Sequence, residues 1–459
     1  MKKNDIITAC FVYLSFIMLL IPAYGQDSPK KEKGKIVFDL NQCIKKAVEI
    51  SPEIGESRYE EEVYKSKKMQ ADSAEYPQIE IVALTGPSTE ARKDEFLKTG
   101  ISDSSINGIF GSFSLNVVQP IYTFGKISSY KSAASSGIKA ARAGVDKKTS
   151  DIILRTKELY YSLLLAKDMR NLLLEIKDEL TRSIEKTEKQ LAADSPWADE
   201  INLYKFRAFL GEAEKNLNET EKGIALAKDA LITSMGLPRG TEFEVADSSL
   251  TPEEQATDEL NTYLKMTPAP RPEFIQLQEG LNAKRALIDV EKSNYYPQIF
   301  LGARGYIAGS TNRDRLKNPY VFDVFGDRFI AAYLGLKWSI DFGMTKGRVQ
   351  EAEAEYAKLS EKKRFADEAI PLQVRRAYLD LEEAKKNIGE TEKAYTNANK
   401  WLVSAIANYD MGVGEAREVT DAASAYALTK ASYLKSLYNH KLSYAILLYA
   451  TGTDLKELK

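Results

Sequence analysis

The chain has 459 residues, and its 64 basic and 66 acidic side chains leave a formal net charge of -2. Because the two signs are mixed along the chain, its charge offers no field that would attract nucleic acid. One histidine and two cysteines exclude a multi-histidine metal site and a disulfide framework, so the sequence indicates no metal and no other cofactor.

The first 25 residues have the order of a secretory signal peptide. Two lysines precede an apolar run from Ile6 to Ile21, and small residues lead to a cleavage site after Gly25. We therefore predict export with removal of residues 1–25. Two alternatives stay open: a lipoprotein signal at Cys10, preceded by only about four apolar residues, and an uncleaved anchor, which polar residues interrupt. Beyond this segment no apolar run is long enough for a transmembrane helix, so a membrane-crossing part would consist of strands.

Several sequence marks occur twice in the same order. Tyr76-Pro-Gln-Ile79 returns 220 residues later as Tyr296-Pro-Gln-Ile299. The other marks keep nearly that spacing: Ser51-Pro-Glu-Ile54 with Arg271-Pro-Glu-Phe274, Phe124-Gly125 with Phe342-Gly343, Tyr160 with Tyr378, and Gly236 with Gly452. A period this long predicts a duplicated structural half rather than a solenoid. We expect a first repeat over 26–240, an exposed polar linker over 241–258 and a second repeat over 259–459.

The first half is predicted to begin with a helix from Leu40 to about Glu75. Asp39 or Asn41 is able to cap its first turn. An apolar stripe marks the face that we expect to be buried: Ile44, Val48, Ile54, Tyr59 and Val63.

Two strands follow in each half, at about 76–86 and 109–121 and at about 296–308 and 329–341. Apolar and polar residues alternate in all four, and aromatic residues such as Tyr76 and Trp338 stand at their ends. This pattern is typical of transmembrane β-barrel strands with an aromatic belt. A half-buried strand of a soluble sheet is the alternative that alternation leaves open. The polar loops 87–107 and 310–327 fall at one end of the strand pairs, which suits the outside of a barrel.

A long helical hairpin completes each half, over about 125–236 and 343–451. In the first, apolar residues recur at every seventh position: Ile138, Val145, Ile152, Leu159, Ala166, Leu173 and Leu180. In the second they alternate by threes and fours: Ala377, Leu381, Ala384, Ile388, Tyr395, Ala398, Leu402, Ala405 and Tyr409. Both patterns define coiled-coil seams. At about 1.5 Å per residue, roughly 67 helical residues reach about 100 Å, and turns are predicted at Asp194-Ser-Pro-Trp-Ala198 and Gly412-Val-Gly414.

Together these segments resemble one family, the TolC-type outer-membrane efflux proteins. The resemblance spans essentially the whole mature chain. It rests on an ordered set of motifs: Asp39-Leu-Asn-Gln-Cys-Ile-Lys-Lys-Ala-Val-Glu-Ile-Ser-Pro-Glu-Ile54, Tyr76-Pro-Gln78, Gln119-Pro-Ile-Tyr-Thr-Phe-Gly125, Tyr296-Pro-Gln298, Trp338-Ser-Ile-Asp-Phe-Gly343 and Tyr409-x-x-Gly412. The fold class that it implies is mainly α with a β-barrel part, in which long coiled-coil hairpins accompany four transmembrane strands per protomer.

The resemblance also implies an assembly. Three protomers would each give four strands to one barrel in the outer membrane, while the helices form a tunnel through the periplasm. A periplasmic adaptor protein and an inner-membrane transporter would complete a tripartite efflux or type I secretion system, with this chain as its passive exit duct. Physical reasoning agrees, because four strands cannot close a barrel and an open edge is not tolerated in lipid. A non-conducting periplasmic coiled-coil protein is the alternative, and it leaves the amphipathic strand pairs unexplained.

Candidate sites follow from the resemblance at the two helical turns. Glu418 and Asp421 match an acidic pair that forms a gate ring at the tunnel entrance, where threefold symmetry would bring six carboxylates together. The simpler alternative is that acids in a first helical turn complement the helix dipole. The adaptor contact is expected at both turns, although a Trp there can also serve as a packing anchor: Trp197, Ala198, Met411, Gly412, Val413 and Gly414.

Catalytic chemistry has little support in the sequence. His440 is the only histidine, and Cys43 on the first helix is interpreted as a small core residue. No glycine-rich phosphate-binding motif with a Lys-Ser/Thr pair occurs. We therefore expect that the protein is not an enzyme and does not power transport itself.

Overall fold

The computed structural model describes residues 36–90, 105–193, 199–253, 257–267, 271–315, 320 and 322–458. The first half contains β1 (Ile36–Phe38), α1 (Leu40–Ile50), α2 (Pro52–Ser73), β2 (Gln78–Thr89), β3 (Ile106–Tyr122), α3 (Lys126–Ala192) and α4 (Glu200–Ser234). The second contains β4 (Phe243–Val245), α5 (Leu260–Met266), α6 (Pro272–Ser293), β5 (Gln298–Ser310), β6 (Arg328–Lys337), α7 (Met344–Asp410), α8 (Ala416–Thr451) and a final 3-10 helix, Asp454–Leu458. The predicted mainly helical fold with four long strands is confirmed. The predicted signal peptide lies outside the described residues.

The helix predicted over 40–75 was wrong in one respect, because it is two helices. Asp39 caps α1 through a capping box. Pro52 disfavours a helical conformation in the residue before it, and Ser51 is accordingly extended, with φ -53° and ψ 120°. The Ser51 hydroxyl then caps α2 by accepting a hydrogen bond from the amide of Ile54. The chain therefore bends at Ser51 without leaving a helix end uncapped.

The apolar stripe of these two helices is buried only in its first part. Ile44 and Ile54 lie in the core and Val48 is half-buried. Tyr59 and Val63, which we expected on the buried face, are exposed in the single chain. The reason is that α2 lies at the border of the helical layer and has its main packing contact with α3. α2 therefore presents an apolar strip at the surface of the single chain.

The four long strands form one antiparallel sheet in the order β2-β3-β5-β6. The strand predicted to reach residue 341 ends at Lys337. Its neighbour in the described sheet, β5, begins at Gln298 directly opposite Lys337, so the residues after Lys337 extend past the end of β5. A bulge between Pro120 and Tyr122 interrupts the pairing of β3 with β5.

The two longest helices, α3 and α7, each have 67 residues, and this length agrees with the prediction for the helix of the second half. In α7 most seam positions are buried, and the prediction is confirmed for Ala377, Leu381, Ala384, Ala398, Leu402, Ala405 and Tyr409. In α3 only Ile152 and Leu180 of the seven predicted positions are buried. Since α3 contacts α1, α2, α4, α6 and α8, it buries more than one stripe. No helix in the described part of the chain combines the length and apolar character needed to cross a membrane.

The predicted exposed linker over 241–258 was wrong in its middle. Phe243 and Val245 are buried because β4 pairs in parallel with β1. Between them, Glu244 accepts hydrogen bonds from Lys228 at 2.9 Å and from Lys167 at 3.0 Å. These two hydrogen bonds lower the pKa of Glu244 to about 2, and the bond from Lys228 has the larger effect. The linker was predicted from the polar composition of the whole segment 241–258, and a strand of three residues changes that composition too little to be noticed.

The two residues considered for chemistry are both packed in the interior. Cys43 is fully buried, and burial followed by the charge of Asp39 raises the pKa of its thiol to about 12. His440 is also buried, and its pKa is lowered by burial first and then by Lys441 and Lys385. At neutral pH the thiol is therefore protonated and not nucleophilic.

Candidate functional site

The register of the four strands puts their apolar residues on the same face of the sheet. Ile81 of β2 stands opposite Leu115 of β3, and Leu301 of β5 stands opposite Leu334 of β6. Directly opposed residues point to the same side of a sheet. The apolar sides of all four strands therefore share one face: Ile79, Ile81, Ala83, Phe113, Leu115, Val117, Leu301, Ala303, Ile307, Ile330, Ala332, Leu334 and Leu336. Its large side chains on β2 and β6 are exposed in the single chain.

The other face of the sheet is polar near the helices. Glu80, Asn116 and Arg304 lie in one row across β2, β3 and β5. This separation of an apolar from a polar face is what a strand needs between lipid and a water-filled lumen. The predicted alternation is thus present in all four strands with a common orientation.

Toward the loops, a segment after β5 folds back over the polar face. The ring of Phe325 meets that of Phe110 edge-on with centroids 5.0 Å apart, and Phe322 lies 5.4 Å from Tyr306. The Tyr306 hydroxyl donates to the carbonyl of Val324 at 2.6 Å. Segment 322–325 is therefore packed on the sheet rather than extended beyond it.

A buried ion pair holds this segment in place. The Arg313 guanidinium donates from Nε to Asp323 Oδ2 at 3.1 Å and from Nη2 to Asp323 Oδ1 at 3.0 Å. Its Nη1 also donates to the Thr89 carbonyl and hydroxyl, at 3.3 Å and 3.1 Å. We call Arg313, Asp323 and segment 322–325 the loop clasp. The clasp ties the end of β2 to the β5–β6 connection.

The second helical tip is a tight Gly-Val-Gly turn between α7 and α8. Gly412 has φ +76°, a left-handed conformation that residues with a Cβ rarely adopt. A Cβ on Gly414 would lie 2.8 Å from the backbone nitrogen of Tyr409, closer than packed atoms tolerate. The amides of Val413 and Gly414 both donate to the Asn408 carbonyl at 3.1 Å. The predicted turn is therefore present, and its backbone conformation requires glycine.

The predicted tip residues stand at the surface of this turn. Met411 and Val413 are exposed apolar side chains. Glu418 and Asp421 are both exposed on α8, where Arg417 lies 3.6 Å from Asp421. Trp197 and Ala198, which were predicted at the first tip, lie outside the described residues. Across the described segments, no group of His, Cys, Asp and Glu side chains is arranged to hold a metal ion.

A contact that sequence reasoning missed joins the two hairpins next to the second tip. The buried Tyr409 hydroxyl lies 2.8 Å from the Thr187 hydroxyl. The Tyr409 ring meets Phe206 edge-on at 5.6 Å, and Lys186 forms an ion pair with Asp410. We call these five residues the tip lock. One sequence signal existed, since Thr187 stands seven positions after Leu180 and continues the first seam.

Comparison with known proteins gives a consistent result. A family model described as outer membrane efflux protein matches residues 43–193 and 264–453. No curated protein matches the chain. Solved structures with a similar fold include CusC, with 17% identity, a TM-score of 0.73 and coverage of 93% of this chain and 95% of that one. VceC of Vibrio cholerae has 17% identity, a TM-score of 0.72 and coverage of 90% and 96%. CmeC of Campylobacter jejuni has 15% identity, a TM-score of 0.74 and coverage of 95% and 94%.

The two matched segments contain most of the chain, and the chain therefore belongs to the outer membrane efflux protein family. This confirms the resemblance found in the motifs. The family is one of outer-membrane efflux channels and not of enzymes.

Proposed function

We propose that the chain is the exit duct of a tripartite efflux or type I secretion system. It would passively conduct substrates that an inner-membrane transporter delivers through a periplasmic adaptor. One observation supports this most directly. The strands in the order β2-β3-β5-β6 connect to α2, α3, α6 and α7, which pack side by side in the same order. Sheet and helices thus form one continuous wall with two open borders.

The open borders favour a homotrimer. β2 and β6 each have one neighbour within the described sheet, and an unpaired strand edge is not tolerated in lipid. Two chains would give eight strands, and a barrel of about eight strands is filled by its own side chains. Three chains would give twelve strands and leave room for a lumen. The apolar face would then meet outer-membrane lipid, and the helices would extend about 100 Å into the periplasm.

The tips supply the proposed control of the duct. Met411, Gly412, Val413 and Gly414, together with Trp197 and Ala198, would contact the adaptor. Glu418 and Asp421 of three chains would form the gate ring at the periplasmic entrance. The tip lock would hold this entrance closed, because opening requires the second hairpin to move away from the first.

Planar-bilayer recording of the purified, membrane-extracted protein tests the duct. We expect discrete conductance steps from the assembled protein and none from protein dissociated by heat. An assembled protein that never conducts would rule out the duct and support the structural coiled-coil alternative.

A double substitution tests the gate ring. Glu418→Ala with Asp421→Ala removes two carboxylates per chain, so we expect lower cation conductance and weaker cation preference. The matched control is Glu200→Ala, which removes an acid from the first turn of α4. If the control and the double variant behave alike, the two acids act only on the helix dipole.

A further inference from the structure

Phe342, just after β6, is fully exposed, whereas its repeat counterpart Phe124 is packed. The ring of Phe124 stacks on that of Tyr296 with centroids 5.0 Å apart and an interplanar angle of 9°. Tyr296 precedes β5, which is the neighbour of β3 in the sheet. Its repeat counterpart is Tyr76, which precedes β2. β2 and β6 are the two border strands of the sheet, and Tyr76, like Phe342, is exposed. The chain thus carries both partners of a second stack, one on each open border.

The repeat relation also holds in three dimensions. The Gln119 amide, at the end of β3, donates to the carbonyl of Glu75 at 2.8 Å. At the equivalent place after β6, the Trp338 indole donates to the carbonyl of Tyr295 at 3.2 Å. Both carbonyls belong to the residue directly before the repeated Tyr-Pro-Gln motif. The contacts of one half therefore predict contacts of the other.

The pairing of β3 with β5 consequently gives a register for β6 with β2 of another copy. β3 has a bulge between Pro120 and Tyr122, which adds one residue relative to β6. With this residue taken into account, Val117 of β3 corresponds to Leu336 of β6, and Ala303 of β5 corresponds to Ala83 of β2. Val117 stands opposite Ala303 within the chain. The same geometry sets Leu336 opposite Ala83, and both residues then lie on the apolar face. In the same register Trp338 would stand opposite Ile81, and Ile340 opposite Ile79, which pairs exposed apolar side chains with one another.

The helices below the sheet add a charge match. Within the chain, α3 lies against α6, and Gly144 lies beside Gln276. The repeat counterparts are Lys362 of α7 and Glu56 of α2, an exposed pair of opposite charge. The apolar strip of α2 around Tyr59 and Val63 would be covered by the same neighbour.

We propose that a second copy of this chain docks on the β6–α7 border in this register, with Leu336 opposite Ala83 of the neighbour and Phe342 stacked on its Tyr76. The inference rests on the proposed trimeric duct and specifies which atoms join its protomers. A second copy is the partner indicated, because the chain already contains the same interface between its own halves.

Disulfide cross-linking of the assembled protein tests the register. Directly opposed strand residues have Cα atoms about 4.5–5.5 Å apart, within the range that a disulfide spans. Leu336→Cys with Ala83→Cys, oxidised in the assembled protein, is expected to give covalent dimers and trimers that persist in non-reducing, denaturing electrophoresis. Val117→Cys with Ala303→Cys has the same geometry inside one chain, and we expect it to link without an increase in mass. The buried Cys43 stays in both variants.

A shifted pair supplies the opposing outcome. Leu336→Cys with Thr85→Cys keeps the same face but moves two positions along β2. The register is overturned if this shifted pair forms more intermolecular disulfide than the 336–83 pair. It is also overturned if the 336–83 pair forms no intermolecular disulfide while the intramolecular control pair does. Native mass and bilayer conductance of the unoxidised variants separate the two claims. A conducting trimer without the 336–83 link contradicts only the register, whereas a non-conducting monomer contradicts the proposed duct as well.

Phe342→Ala tests the stack independently. Because this side chain is fully exposed in the single chain, we expect normal helical content and about tenfold weaker association of protomers. Phe124→Ala, the counterpart inside the chain, should instead lower the stability of each protomer. Unchanged association of the Phe342→Ala protein would contradict the proposed stack.

Discussion

Tyr409 is the residue on which the closed state of the tip is expected to depend. Tyr409→Phe keeps the ring against Phe206 but removes the hydroxyl that lies 2.8 Å from Thr187. A hydrogen bond of this kind contributes about 1 kcal/mol, so the open probability of single channels should rise about fivefold. Tyr395→Phe is the matched control, because Tyr395 stacks on Tyr433 within the second hairpin. An equal rise in both variants would show that the effect does not come from the contact between hairpins.

Glu244 is expected to make stability depend on pH. Its pKa in the folded protein, about 2, lies below the value of about 4.3 for an unfolded glutamate. The ionised carboxylate therefore stabilises the fold above about pH 4.3, and this contribution is lost as the pH falls toward 2. Since the pair is partly solvated, Glu244→Gln should lower the free energy of unfolding by about 1 kcal/mol at pH 7.

Unfolding followed by circular dichroism at pH 7, 4 and 2 would measure this difference. We expect the wild type and Glu244→Gln to converge at the lowest pH. Glu242→Gln, two positions away and exposed, should show no such difference at any pH. A gap that persists at pH 2 would mean that the substitution acts through packing rather than charge.

Single residues of the tip could be predicted only in part. Tyr409 was placed in a seam by its spacing, and the Gly412-Val-Gly414 turn followed from its glycines. The partner of Tyr409 could not be predicted, because Thr187 is 222 residues away and heptads identify a buried side without identifying the helix that covers it.

At the scale of elements, the loop clasp should control how far segment 322–325 extends over the polar sheet face. Asp323→Asn leaves the largely buried Arg313 without its carboxylate, and breaking one side of a buried pair costs about 3–5 kcal/mol. We expect the segment to detach, which would make it sensitive to chymotrypsin at Phe322. In the proposed barrel this face lines the lumen, so the open conductance should increase.

A second substitution separates charge from shape in the clasp. Arg313→Gln added to Asp323→Asn removes the uncompensated charge, and partial recovery of protease resistance is expected. Chymotrypsin digestion of the three proteins, analysed by mass, would give the result. Equal resistance of Asp323→Asn and wild type would show that the aromatic contacts alone hold the segment.

The elements themselves could be predicted where a period extends over many residues. The four strands and the two 67-residue helices follow from periods of two and seven. The break at Ser51 was missed, although Pro52 was its visible cause. The strand β4 was missed because three residues cannot display an alternation, and its burial depends on β1, some 200 residues earlier in the chain.

At the scale of the whole molecule, the duplication was visible in the sequence but the assembly is not contained in one chain. β6 ends where β5 begins, and α2 keeps an apolar strip that is exposed in the single chain. In the proposed trimer both would be covered by a neighbouring copy. What the sequence does determine is which face of the sheet each residue takes. That assignment can be tested without any knowledge of the partner.

Two adjacent arginine substitutions in β3 would test which face meets lipid. Leu115 stands opposite Ile81 on the apolar face, and Ser114 stands opposite Val82 on the other. An arginine on the lipid side of a barrel costs about 2–4 kcal/mol near the membrane midplane, whereas lumen substitutions mainly change selectivity. Leu115→Arg should therefore sharply reduce the amount of trimer in isolated outer membranes. Ser114→Arg should assemble normally and shift the reversal potential toward anions, because in the proposed trimer it adds three positive charges to the lumen. The opposite pattern would place water on the apolar face and exclude the barrel.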